Sequence, residues 1–304
     1  YYKGGKPDLQ LFDKKLYEVN PDDKVAIARA AAEEVLGKDE RIISVDSSYS
    51  DGEGSSYRLI SNGFEGESKS TWFSVSASVS IKGEGEARPQ DYWYDSALFY
   101  DKLTKTGIGA KALERVLRKL GQKKAKSGKY TMVVDPMNVG NLLSPMLSAL
   151  YGSALQQKNS FLMDKLDTKV ASDLFTLRDE PHAIGANGSR YFDNEGVATE
   201  PRTVFDKGVL KTYFIDTYNG KKMDIAPTIS APSRLILTPG DKDLNGLVAD
   251  IKQGILVTGF NGGNSNSSTG DFSYGIEGFL IEDGKLTQPV NEMNVTGNMV
   301  TLWN

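Results

Sequence analysis

A chain with no cysteine and one histidine, His182, among 304 residues has to fold without disulfides and without an ordinary structural zinc site. Structural zinc takes four Cys or His ligands, and catalytic zinc usually takes three protein ligands rich in His. Here a metal site is open only to carboxylates joined by at most one imidazole. Cys-His catalysis is excluded, and a Ser-His-acid triad would have to run through His182. The apolar fraction of 39% supplies a sizeable core, and roughly 150 residues per domain suggests about two domains. A formal net charge of −4 provides no broad cationic field, which argues against nucleic acid and anionic membrane surfaces as partners. No apolar run approaches the ~18 residues of a membrane span, and the opening Tyr1-Tyr2-Lys3-Gly4-Gly5-Lys6 has no signal core. The lack of cysteine is compatible with the cytoplasm.

Local patterns set out two halves. Asn20-Pro21-Asp22-Asp23 combines a capping residue, a first-turn proline and two acids, and so announces a helix. Val25, Ala28, Ala32 and Val35 are expected to form its apolar face, with Gly37 ending it. Arg41 to Val45 and Tyr57 to Ile60 read as short strands, the second leading into the Asn62-Gly63 turn. Phe73, Val75, Ala77, Val79 and Ile81 alternate with Ser74, Ser76, Ser78 and Ser80, a half-buried strand with a serine face. Ser96 to Leu103 and Ile108 to Leu120 read as helical. The lysine-rich run Gly121 to Lys129 is expected to be a solvated linker, since it misses the P-loop spacing and precedes a strand. Gly107-Ile108-Gly109 is a loose dinucleotide-type match without the strand that should come before it.

The second half opens with a strand, Tyr130 to Val134. A helix is then expected with Ser144 as cap and Pro145 at its first position, burying Met146, Leu147, Leu150, Tyr151, Ala154 and Leu155. Beyond Leu174, short runs alternate with turns such as Asn187-Gly188, Asp206-Lys207-Gly208 and Asp283-Gly284. The class is α+β: two α+β halves, 1–126 and 127–304, the second rich in antiparallel strands and glycine turns.

Several segments in this order resemble one family. Phe192-Asp193-Asn194-Glu195-Gly196-Val197, Gly208-Val209-Leu210-Lys211-Thr212-Tyr213 and Leu237-Thr238-Pro239-Gly240-Asp241 are followed by Thr269-Gly270-Asp271-Phe272-Ser273, Ile281-Glu282-Asp283-Gly284-Lys285 and Pro289-Val290 with Thr296-Gly297-Asn298. Together they are similar to the TldD/PmbA family, long labelled modulators of DNA gyrase. The resemblance runs across nearly all of residues 130–304, and the Ser61-Asn62-Gly63 turn and the helix from Ile108 fit its amino-terminal half. It implies a cytoplasmic protein of a two-component metallopeptidase system. In that system a TldD-type subunit holds zinc, and a PmbA-type (TldE) subunit pairs with it to trim unfolded peptides, including a microcin precursor. The family is longer at both ends, so both halves are expected to be incomplete.

The zinc-bearing branch carries His-Glu-x-x-x-His behind a Leu-Leu pair. Laid onto this chain, the motif falls on Ser144, Pro145 and Ala149, none of which can ligate zinc or act as general base. The third ligand of that branch, a cysteine, would lie beyond Asn304. The resemblance therefore implies the zinc-less branch, with no catalytic residue and no cofactor of its own, zinc being expected on a TldD-like partner, and with a homodimer as a further option. Direct action on gyrase has no support in the charge or the motifs.

Other chemistry stays open on the residues alone. Asp179, Glu180 and His182 are candidate metal ligands, although a solvated turn with a hydrogen-bonded histidine is the simpler reading. Asp193 and Glu195 are a candidate acid/base pair for a carboxylate-dependent hydrolase, peptidase or glycosidase. Phe272-Ser273-Tyr274 lacks the glycines of a nucleophile elbow.

Overall fold

Side-chain alternation in β2 (Glu65–Ile81) sorts that strand into two faces, and the first half is built on it. A computed structural model describes residues 1–304. Strand β1 (Ile42–Leu59) pairs antiparallel with β2 along its whole length, and β3 (Gln90–Ala97) flanks β2 on the other side. Phe73, Val75, Ala77, Val79 and Ile81 are fully buried, as the alternation requires. The serines of β2 face outward and join cross-strand pairs such as Ser48 with Ser76 at 2.9 Å. The two short strands expected between Arg41 and Ile60 are one continuous strand. Its middle, Asp46 to Ser56, has little apolar patterning of its own and is held by the ladder to β2.

Helices α1 (Pro21–Glu33) and α2 (Ile108–Leu117) cover the apolar side of this sheet. The Asn20 side chain caps α1 by accepting from the Asp23 N–H at 2.8 Å, as its sequence announces. The buried side of α1 is Ala31, with Val35 buried in the turn just after the helix, whereas Val25 is exposed. The face is rotated because α1 presses on α2 at Gly109, where a Cβ would lie 1.9 Å from the Ala31 carbonyl oxygen. The Glu34 carboxylate accepts from the N–H groups of Gly107, Gly109 and Ala110 at 2.6, 2.8 and 3.2 Å. The amide cluster that a dinucleotide-type loop would offer to phosphate is thus filled from within. Ser96 to Leu103 is not a helix: β3 runs to Ala97, and only a 3-10 turn at Tyr100–Lys102 follows.

The second half contains two further sheets. One has the order β11-β10-β9-β4, made of β4 (Thr131–Val134), β9 (Gln253–Ser265), β10 (Asp271–Glu282) and β11 (Lys285–Asn298). Strand β4 runs parallel to β9, and the remaining pairs are antiparallel. The turn between β10 and β11 places both Asp283 (φ 45°) and Gly284 (φ 76°) in the left-handed region, the geometry of a type I′ hairpin. The other sheet has the order β7-β6-β5-β8, from β5 (Leu177–Asp179), β6 (Arg202–Asp206), β7 (Val209–Leu210) and β8 (Leu235–Leu237).

Between these sheets lies the largest core, in which Leu150, Leu162, Leu177, Phe205 and Phe214 are all fully enclosed. Helices α3 (Val139–Ser148) and α4 (Gly152–Gln156) border it. Three short helices complete the half: α5 (Thr217–Met223), α6 (Leu244–Ala249) and α7 (Met299–Leu302). Helices and largely antiparallel strands together make the fold α+β. The run Gly121 to Lys129 is irregular chain with its lysines exposed, as a solvated linker should be, but it is tied down at one point. Lys123 bridges to Val290 on the outer edge of β11, donating to the Pro289 carbonyl at 3.1 Å.

The tip of the β1–β2 hairpin reaches the second half. Phe64 packs edge-on to Phe192 with ring centroids 5.0 Å apart. A Cβ at Gly196 would lie 2.4 Å from the Phe64 ring, so only glycine fits beneath it. Arg58 adds a hydrogen bond to the Asn194 carbonyl at 3.0 Å.

Candidate functional site

Helix α3 follows β4 through a 3-10 turn, Pro136–Asn138, capped by the Asp135 carboxylate, which accepts from the Met137 N–H at 3.0 Å. The Asn138 side-chain amide donates to the Thr258 carbonyl at 2.8 Å, tying the start of the helix to β9. The helix therefore begins five residues before Ser144 and carries Pro145 in its interior. Ser144 is not its cap. The apolar run does not continue as one helix either. It breaks after Ser148, where Tyr151 bridges to Phe214, and resumes as α4.

Leu142, Pro145, Met146, Ala149 and Leu150 point into the core, while Asn141, Ser144 and Ser148 face outward. Of the three motif positions, only Ser144 is exposed. Pro145 is buried, and Ala149 is fully buried with its carbonyl accepting from the Ser160 hydroxyl at 2.6 Å. A five-residue step at about 100° per residue turns Ser144 and Ala149 about 140° apart on a regular helix. The outward face has no ionisable side chain, and no group of three or more His, Asp or Glu residues in the chain converges to hold a metal ion.

Asp193 is 2% exposed. Its Oδ1 accepts from the N–H groups of Glu195 and Val197 at 2.8 and 2.9 Å, and its Oδ2 accepts from Ser230 at 2.9 Å. Glu195 Oε2 accepts from the Thr217 N–H and hydroxyl at 2.9 and 2.7 Å. Both carboxylates are occupied in tying the Asp-Asn-Glu-Gly turn to neighbouring segments. Nearby, Arg202 has a buried Nε with no partner, and burial pushes its guanidinium below the ordinary value against the pull of Asp179, Glu200 and Asp193.

The remaining candidates disperse. Asp179 is buried and accepts from the N–H groups of Ser233 and Arg234 at 3.0 and 2.8 Å. Glu180 pairs with Arg178 at 2.7 Å. His182 lies 3.0 Å from the Thr199 hydroxyl, which itself donates to the Arg190 carbonyl at 2.5 Å. The imidazole Nε2 is therefore the donor. Burial is the main cause holding His182 below its ordinary pKa, helped by the Lys6 charge.

A network of buried charges joins the two halves at their seam. Lys119 Nζ lies 3.2 Å from Asp91 and 2.7 Å from Glu277 of β10, and it donates to the Gln90 carbonyl at 2.8 Å. Arg115 of α2 is 3.3 Å from Asp91 and 3.7 Å from Asp135. The spacing places Arg115 and Lys119 on one side of the helix, but nothing in the sequence announces the distant acids that they meet.

Comparison with known proteins identifies this architecture as that of a metallopeptidase family. Family models for the PmbA/TldA metallopeptidase central and C-terminal domains match residues 14–120 and 127–304. The chain belongs to the PmbA/TldD family. It is 31% identical over 301 residues to a Haemophilus influenzae protein named metalloprotease PmbA homolog, covering 96% of this chain and 65% of that one. The TldD homolog of the same organism is 26% identical over 201 residues, 62% of this chain and 42% of that one. A crystal structure of a Bacteroides thetaiotaomicron protein described as a modulator of DNA gyrase superposes with a TM-score of 0.99 at 72% identity, covering 100% of this chain and 70% of that one. The chain thus spans about two thirds of the length of the curated PmbA relative.

Proposed function

We propose that this chain is the zinc-less, PmbA/TldE-like member of a two-subunit cytoplasmic peptidase, organised as domains 1–126 and 127–304. It pairs with a zinc-bearing TldD-like subunit and helps to hold unfolded peptide, without metal chemistry of its own. The observation that carries this reading is α3: where the family's zinc branch has its ligands and general base, this helix has Ser144, Pro145 and Ala149, two of them in the core. The broader match to a PmbA homolog than to a TldD homolog supports the same branch. Strand edges that carry no partner strand, such as that of β3, offer backbone groups to an extended chain of any sequence. No helix is long and apolar enough to cross a membrane, which accords with a cytoplasmic role.

The test is reconstitution. A TldD-type protein from the same host, supplied with zinc and an unfolded peptide, should co-purify with this chain and cleave faster in its presence. Equal cleavage without it, or stoichiometric zinc on this chain purified alone, would overturn the proposal. The alternative, an independent hydrolase using Asp193 and Glu195, is disfavoured because both carboxylates are already committed to backbone and hydroxyl donors. Peptidase or glycosidase activity of the isolated chain that Glu195→Gln abolishes would restore it.

A further inference from the structure

A pocket of about 330 Å3 opens at the seam between the halves, and none of its lining residues belongs to α3 or to the Asp193 turn. Its floor is apolar, with Val248, Leu256 and Phe279 buried and Leu286 half-buried. One wall is the buried charge network, in which Arg115 and Lys119 are matched by Asp91, Asp135 and Glu277. All three donors of the Lys119 ammonium are engaged within the chain, leaving none for a ligand. Two cations remain at the rim. The Arg118 guanidinium lies 4.6 Å from the centroid of the Phe279 ring, and Lys285 follows the β10–β11 turn. Neither has an ion-pair or hydrogen-bond partner for its side chain.

Unmatched positive charge beside an aromatic and aliphatic floor suits an anion with an apolar body. We propose that this pocket binds a small amphipathic carboxylate. Arg118, already oriented by the Phe279 ring, presents a planar fork to the carboxylate. Lys285, also lining the pocket, contributes a second charge, and the floor receives the apolar body. The volume lies at the lower end of the ~300–1,000 Å3 range of ligand pockets, which limits the body to about the size of one or two amino acids. A purely polar anion such as inorganic phosphate leaves the floor uncovered. A second carboxylate on the ligand would face Asp91 and Asp135. The assignment stands on this pocket alone and does not depend on the subunit reading.

The test is titration of the full chain with N-acetyl-leucine, N-acetyl-leucinamide and inorganic phosphate, followed by calorimetry or by NMR shifts of the residues lining the pocket. The free acid should bind saturably. The amide and phosphate should each bind at least ~10-fold more weakly, and Arg118→Gln and Lys285→Gln should each weaken the acid by about 5-fold or more. Both side chains are exposed, so the variants should keep the wild-type Tm, and Arg118→Lys provides a second probe that keeps the charge and loses the fork. Equal affinity for acid and amide, phosphate binding as tightly as the acid, or variants that bind like wild type would each overturn the proposal.

Discussion

Asp193 shows what a carboxylate does when backbone donors surround it. Orphaning a buried N–H costs about 1–3 kcal/mol, and Asp193→Ala orphans the N–H groups of Glu195, Val197 and Ser230. The expected loss is ~3 kcal/mol or more by urea unfolding, with Asp193→Asn milder because one acceptor oxygen survives. A variant of unchanged stability would mean that the acid is free for other work. His182 gives a pH dependence. Its folded-state pKa lies below the ordinary 6.5, chiefly through burial, so the folded chain binds its proton less readily than the unfolded chain does. Its contribution is therefore complete above the unfolded pKa and is lost as pH falls through the folded one. The fall in Tm from about pH 7 to about pH 5 should be shallower in His182→Gln.

At the scale of an element, α3 separates two faces that a sequence motif treats as one. Ala149→His should destabilise by roughly 1–3 kcal/mol through overpacking, whereas Ser144→His should stay within ~0.5 kcal/mol. Thermal melts of the two single variants check this. Placing His, Glu and His together at Ser144, Pro145 and Ala149 should then yield a destabilised protein without stoichiometric zinc, read by metal analysis. Elements with local causes were legible: the Asn20 cap with Pro21, the alternation of β2, and β4. What misled was structure owed to a partner element. The serine and glycine run of β1 is a strand because β2 pairs with it, and Ser96 is extended because it lies opposite Ser74. Helix α3 starts early because Asp135 and Asn138 fasten it to a turn and to β9, anchors that a capping search aimed at Ser144-Pro145 passes over.

For the whole molecule, the decisive contacts join residues far apart in the chain, and no local pattern announces them. Lys119 and Glu277 are 158 residues apart, and both are largely buried at the seam, with side chains 8% and 17% exposed. Removing one partner of such a network leaves uncompensated buried charge, so Lys119→Ala should cost about 3–5 kcal/mol. Because this network spans the seam, the loss should split a single thermal transition into two, which calorimetry would register. The family's order of motifs was legible, but the convergence of Asp91, Arg115, Lys119, Asp135 and Glu277 was not, since ion pairing across a fold leaves no periodicity behind.

The docked hairpin tip bears on kinetics. The β1–β2 hairpin closes through neighbouring residues and can form early, yet Arg58 and Asn194 are 136 residues apart, and Phe64 has no seat until the turn around Gly196 exists. Contacts of such wide separation close late, so weakening this one should leave the folding rate nearly unchanged and act mainly by speeding unfolding. The tip is a latch on the lifetime of the folded state, set after the path to that state has been travelled.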